Sequence, residues 1–173
     1  MPIMEVLGKR PTIHPSAYIA KTAWIIGDVK IASGVSIWFN SVLRAEGVSI
    51  SIGSDSNVRD GSLIHPDSIS TVIGERVSIG HGCRVEGVYI ADEVLIGSGA
   101  IVLEGARIGR GSLISAGSVL PAGSDIPEFS LVMGNPARIV GRTDSRHKRA
   151  VQEAWNAYSE LANSYRVSRI ISE

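Results

Sequence analysis

The sequence predicts a parallel β-solenoid of hexapeptide repeats followed by a single C-terminal α-helix. Three observations carry this reading. An aliphatic residue recurs every six positions over most of the 173-residue chain. A small or β-branched residue follows it four places later. Beyond position 143 the beat changes to a three-and-four spacing. Such periods are read before local propensity because they decide the architecture.

The beat opens at Ile13, Ile19, Ile25, Ile31, Ile37 and Leu43. A nine-residue step leads to Ile52, Val58 and Ile64, and a second to Ile73, Ile79 and Val85. A five-residue step then gives Ile90, Ile96, Val102, Ile108, Ile114, Leu120 and Ile126. The slot four places on holds residues such as Ala23, Val35, Ser56, Ser62, Cys83, Ala100 and Ser112. One large anchor and one small partner per six residues describe a short strand and a corner. Three such faces close a triangular coil of about eighteen residues. No coil buries its face alone, so stacking at roughly 4.7–4.9 Å supplies the core. Each buried Ile or Val contributes about 1.5–3 kcal/mol. The two nine-residue steps read as projecting loops, Arg44 to Ser51 and His65 to Val72, where a rigid solenoid carries function.

Past Ile126 the residues Pro127, Gly134, Pro136 and Gly141 mark an irregular connector. Thr143-Asp144 offers a helix cap. Ala150, Ala154, Trp155, Tyr158, Leu161, Ala162 and Tyr165 then form the apolar stripe of a helix over about 145 to 166. That stripe is expected to pack along the solenoid of its own or a neighbouring subunit. The chain divides into a β-helix domain, residues 1–140, and a connector with an amphipathic helix, residues 141–173.

Lys and Arg number 17, as do Asp and Glu, so the net charge is zero. This balance offers no basic field to nucleic acid. The N-terminal stretch lacks the apolar core of a signal peptide, and no run is long enough to span a bilayer. A single cysteine forbids an intrachain disulfide. The expectation is a cytoplasmic protein with no nucleic-acid or membrane partner.

Candidate chemistry falls into two columns. Leu43, Ile64 and Val85 are third anchors of successive coils, so the residues that follow them, Arg44, His65 and Glu86, stack. Two places after Ile37, Val58 and Ile79 stand Phe39, Asp60 and His81. The columns lie on different faces, so one subunit does not by itself bring His81 to His65. Trp38 and Phe39 fall outside the anchor positions. They mark either a subunit contact or the seat of the C-terminal helix.

These residues lie in motifs that resemble the γ-class carbonic anhydrase family of hexapeptide-repeat proteins. The motifs are Ser36-Ile37-Trp38 leading into Val42-Leu43-Arg44, Asn57 with Asp60-Gly61-Ser62, Ile64-His65, Ile79-Gly80-His81, Gly97-Ser98-Gly99-Ala100-Ile101-Val102, and Gly134-Asn135-Pro136-Ala137. The last is shared with hexapeptide acyltransferases. The resemblance implies a left-handed parallel β-helix assembled as a homotrimer. It also implies a metal between subunits (zinc, with iron or cobalt as alternatives) held by three histidines, and carbon dioxide and bicarbonate as substrates. His65 and His81 match two ligands.

Three positions depart from that pattern. The third ligand histidine falls at Glu86, the acid two places after the matching arginine is Glu46 rather than Asp, and a solvent-orienting glutamine falls at Arg59. The loop after His65 holds one acid, Asp67, which gives a proton shuttle thin support. Two histidines and a glutamate form a legitimate zinc set with an open position. Replacing an imidazole by a carboxylate lowers the local charge and weakens the activation of water, so slow hydration, or none, is expected. Alternatively, Glu86 pairs with Arg59 or Arg44 and no metal binds. Arg44, Glu46 and Asp60 read as an ion-pair network, while Asn57 either orients solvent or caps a corner. Cys83 occupies a small interior slot and reads as inert. Two other functions share the scaffold: an acyl-CoA-dependent transferase using His65 or His81 as base, and a catalytically silent trimeric scaffold.

Overall fold

The computed structural model describes residues 2–168; residue 1 and residues 169–173 of the two predicted spans lie outside it. The chain winds about seven turns of a parallel β-solenoid and ends in one helix, α1, Ser145–Val167. Anchor pairs with anchor down the stack. On the second face Ile19 pairs with Ile37, Ile37 with Val58, Val58 with Ile79, and Ile79 with Ile96. On the third, Leu43 pairs with Ile64, Ile64 with Val85, and Val85 with Val102. The anchors form one buried core with the small-slot residues Ala23, Val35, Val77, Cys83, Val94 and Ala100.

Most serines of the small slot are buried too, among them Ser41, Ser56, Ser62, Ser112 and Ser118, and each finds a partner. Ser56 Oγ donates to the Gly74 carbonyl at 2.8 Å and accepts from the Val77 N–H at 2.9 Å. Ser62 does the same with the Gly80 carbonyl and the Cys83 N–H. A hydroxyl in this slot therefore ties one coil to the next, which makes it as serviceable as alanine despite burial.

The left-handed corner residues stack in three ladders. At one corner the N–H groups of Gly61, Gly82, Gly99 and Gly117 reach carbonyls of the preceding coil, and at another those of Gly105 and Gly123 do so. Left-handed backbone costs an L-residue roughly 1–2 kcal/mol, a penalty glycine escapes.

Several sequence expectations are corrected. Arg44 to Ser51 is not a projecting loop, because a continuous strand spans Val42–Ile52 and its extra residues form an irregularity opposite Gly27 and Val29. Ala45 and Ile50 point inward and hold the segment to the core. The second insertion does leave the sheet, but strand resumes at Thr71–Ile73. The connector is an antiparallel hairpin, Ser130–Gly134 with Ala137–Arg142, rather than irregular chain.

The helix begins at the N-cap Asp144, whose side chain accepts from the Arg146 and His147 N–H groups. His147 completes the capping box, its Nδ1 accepting from the Asp144 N–H at 3.1 Å. Val151 and Ala162 are buried against the second face. Trp38 is 2% exposed and meets Tyr158 and Tyr165 edge-on, with Tyr18 and Phe39 alongside. The aromatics Trp38 and Phe39 thus seat the helix of their own chain. Among the described residues, no helix is long and apolar enough to cross a membrane.

Candidate functional site

Register places Arg44, His65 and Glu86 in one column on the third face. His65 Nδ1 lies 3.0 Å from the Arg44 carbonyl, and Nε2 lies 2.8 Å from the Arg44 guanidinium. A carbonyl only accepts and a guanidinium only donates, so the proton sits on Nδ1 and the lone pair on Nε2. The exposed Asp67 carboxylate is 3.2 Å from Nε2 and gains a hydrogen bond there only when the ring is protonated. Glu46 lies 3.6 Å from Arg44 Nε.

Glu86 follows His65 in the column, but its carboxylate is committed elsewhere. One oxygen accepts from the Glu104 N–H of the next coil at 3.0 Å, and the other pairs with Arg84 at 3.0 Å. Its partner is thus neither Arg59 nor Arg44.

The second column is also realised in register. Asp60 lies 3.0 Å from His81 Nδ1, so it pairs with His81 rather than with Arg44. The carboxylate accepts from Nδ1–H and leaves the Nε2 lone pair, which accepts from the Tyr158 hydroxyl at 3.1 Å. Sequence reasoning places Tyr158 only on an apolar stripe; nothing in the two periodicities tells which solenoid residue it meets. The Arg59 guanidinium lies 4.1 Å from the Tyr158 ring centroid. Arg59 also donates to Asn57 Oδ1 at 3.1 Å and to the Ala154 carbonyl at 3.3 Å. Asn57 is buried and donates to Ser78 Oγ at 2.9 Å, so it braces Arg59 inside the fold. Burial pulls the Arg59 guanidinium below its ordinary value, against the opposing influence of Tyr158, Cys83 and Asp60. Burial likewise pushes the Tyr158 hydroxyl up, with Arg59 acting in the other direction, so Tyr158 remains a neutral donor.

Both histidines carry the pattern that orients a metal-ligating imidazole, Nδ1–H given to a carbonyl or carboxylate and the lone pair on Nε2, although an ion would have to displace Arg44 from one Nε2 and Tyr158 from the other. Their chemistry fits a divalent ion. Glu86 fits less well, since both its oxygens are engaged by its own chain. Among the described residues, no three His, Cys, Asp or Glu side chains of one chain gather as a metal cluster. Cys83 is buried, its thiol donates to the Gly97 carbonyl at 3.2 Å, and burial pushes its pKa up.

Among the described residues, one strip of the third face stays partly exposed. Trp24, Val42, Leu63, Ile101 and Val119 each precede a buried third-face anchor and are at least partly exposed. With Arg84 standing between Leu63 and Ile101, they form a largely apolar strip alongside the column of His65.

Residues 87–122 match the bacterial transferase hexapeptide (six repeats) family. The chain is 45% identical over 153 residues to a probable carbonic anhydrase of Methanocaldococcus jannaschii, covering 88% of this chain and 96% of the relative. It is 34% identical to the mitochondrial gamma carbonic anhydrase 1 of Arabidopsis thaliana, over 94% of this chain but 62% of that relative's length. A solved hexapeptide transferase family protein from Anaplasma phagocytophilum superposes with a TM-score of 0.91 at 32% identity, covering 95% of this chain and 98% of the other.

Proposed function

The chain belongs to the gamma carbonic anhydrase family of hexapeptide-repeat proteins, and on that footing we propose that it is a metal-dependent carbonic anhydrase-like homotrimer with weak carbon dioxide hydration. The observation that carries this reading is the matched orientation of His65 and His81, each presenting Nε2 with Nδ1–H already donated. His65 of one protomer and His81 of its neighbour would hold the ion, zinc or another divalent metal. The largely apolar strip beside His65 supports a subunit boundary there.

A bound cation supplies Lewis-acid charge to water and substrate. The protein supplies the rest. The Arg44 carbonyl and Asp60 fix the two imidazole tautomers, Asn57 braces Arg59, and Tyr158 offers a hydroxyl beside His81. Glu86 is the third donor only if it leaves Arg84 and the Glu104 N–H. A carboxylate there also lowers the charge of the centre, which is why the expected hydration is weak.

Subunit mixing tests the proposal. His65→Ala and His81→Ala homotrimers should each lose metal, while heterotrimers formed from both should regain a fraction of the sites. Monomers, or mixed trimers with no more metal than either parent, would refute it. The likeness to a hexapeptide transferase family protein keeps an acyl-CoA-dependent reading as the second choice. Acetyl-CoA raising the melting temperature where bicarbonate does not would favour it.

A further inference from the structure

We propose that a cleft between the N-terminal half of α1 and the solenoid binds an anion bearing a flat aromatic ring, of the nucleoside phosphate class. The cleft encloses about 430 Å³. It lies at the corner that precedes the Ser78–Ile79 strand, whereas His81 lies at the corner that follows it. It is therefore separate from the proposed metal site.

Arg76, Arg110 and Lys148 line it against Glu93, and Glu75 pairs with Arg76 at 3.4 Å, which leaves an excess of one positive charge. Phe129 and Trp155 contribute aromatic surface. Glu93 takes Arg110 in three contacts of 3.0, 3.1 and 3.2 Å and Arg76 at 3.2 Å. Both guanidinium groups are thereby positioned before any ligand arrives. Lys148 Nζ stands 5.2 Å from the Phe129 ring centroid.

The backbone supplies the second line of support. The corner ladders remote from this cleft use glycine at their left-handed positions from Gly61 and Gly105 onward. The ladder at the cleft starts at Gly34 but then runs Asp55, Arg76, Glu93, Gly111 and Phe129, with φ of 59°, 53°, 57°, 67° and 58° for these five. It is joined by the same coil-to-coil N–H contacts. Four ordinary side chains thus occupy a backbone region they disfavour in this one ladder, and three of them, Arg76, Glu93 and Phe129, line the cleft; such strain persists where the surroundings hold it in place. Glycine appears here at position 111, where a Cβ would stand 2.5 Å from the Phe129 ring. The missing side chain lets that ring fold into the corner. The remote ladders use glycine from Gly61 and Gly105 onward, whereas this one gives most of its levels over to charge and aromatic surface. Together these features suit a ring resting on aromatic carbon with its phosphates among the three cations.

Isothermal titration of the full chain tests the proposal with ADP, inorganic pyrophosphate and adenosine as separate arms. ADP should bind more tightly than either fragment. Arg110→Ala and Lys148→Ala should each weaken ADP by about tenfold or more, the loss of one charge-assisted contact, without lowering the melting temperature. Trp155→Leu should weaken ADP but not pyrophosphate. No heat from ADP at millimolar concentration, equal binding of ADP and pyrophosphate, or unchanged binding by both charge variants would overturn it.

Discussion

The Tyr158 hydroxyl stands 3.1 Å from Nε2 of His81, the nitrogen left as an acceptor because Asp60 holds Nδ1. A residue of the terminal helix therefore competes for the atom that the proposed metal ion would take. Tyr158→Phe keeps the ring beneath Arg59 and deletes only the donor. With a net hydrogen-bond value of about 0.5–1.5 kcal/mol, metal affinity should rise by roughly two- to tenfold. Competition with a chromogenic chelator reads this directly. A fall in affinity would mean that Tyr158 supports the site rather than opposes it.

Asp60 acts in the opposite sense. Asp60→Asn removes the carboxylate that fixes the His81 tautomer, and such partners are worth about 10–100-fold in metal affinity. Zinc titration of the variant should show a loss in that range with the trimer intact. An unchanged constant would place His81 outside the metal site.

Glu86→His separates two roles of one residue. The substitution removes the acceptor of the Glu104 N–H and the partner of Arg84. Leaving that part-buried N–H without an acceptor should cost about 1–3 kcal/mol in stability. A neutral donor beside His65 should at the same time raise carbon dioxide hydration by a zinc-reconstituted sample. Stopped-flow hydration and urea unfolding measure the two effects. Fast hydration by the unaltered chain would contradict the charge argument.

The helix cap carries a pH dependence. The Arg146 side chain, then the His147 N–H, hold the Asp144 carboxyl far below the usual carboxylate range. A depressed folded pKa means that the stabilisation is fully present above the unfolded value, about 3.9, and is lost as pH falls from there towards the folded one. Helical circular dichroism should therefore decline in acid, starting near that value, and Asp144→Ala should remove the share of the decline that belongs to α1. An identical acid profile in the variant would assign the loss elsewhere.

How far the sequence reached depended on which interactions are periodic. The anchors, the small slots, the stacking of Arg44, His65 and Glu86, and the Asp144 cap follow from spacing along one chain, and each is found in place. The direction of the Glu86 carboxylate depends on an N–H one coil further and on Arg84, and no repeat encodes that choice. The meeting of Tyr158 with His81 joins two periodic systems whose relative setting neither reports. The strand across Arg44 to Ser51 was hidden because its extra residues look like an insertion, although Leu43 with Ala45 and Ile50 with Ile52 keep an inward-facing alternation on either side of them.

The close stacking of coils gives the last prediction. A Cβ at Gly97 would lie 2.3 Å from the Ala116 nitrogen and 2.7 Å from its Cα, so the obstacle is backbone of the next coil. Gly117 offers a control: its φ is 67°, but a Cβ there would meet nothing within 4 Å. Gly117→Ala should therefore cost only the left-handed backbone penalty, about 1–2 kcal/mol. Gly97→Ala has no comparable dihedral problem, yet it must push adjacent coils apart along their hydrogen bonds. Its cost should reach or exceed the ~1–3 kcal/mol usual for overpacking. Urea unfolding of the two variants side by side separates these causes. Equal losses would mean that the coils can move apart cheaply, and the rigidity that holds the two histidine columns in register would then need another source.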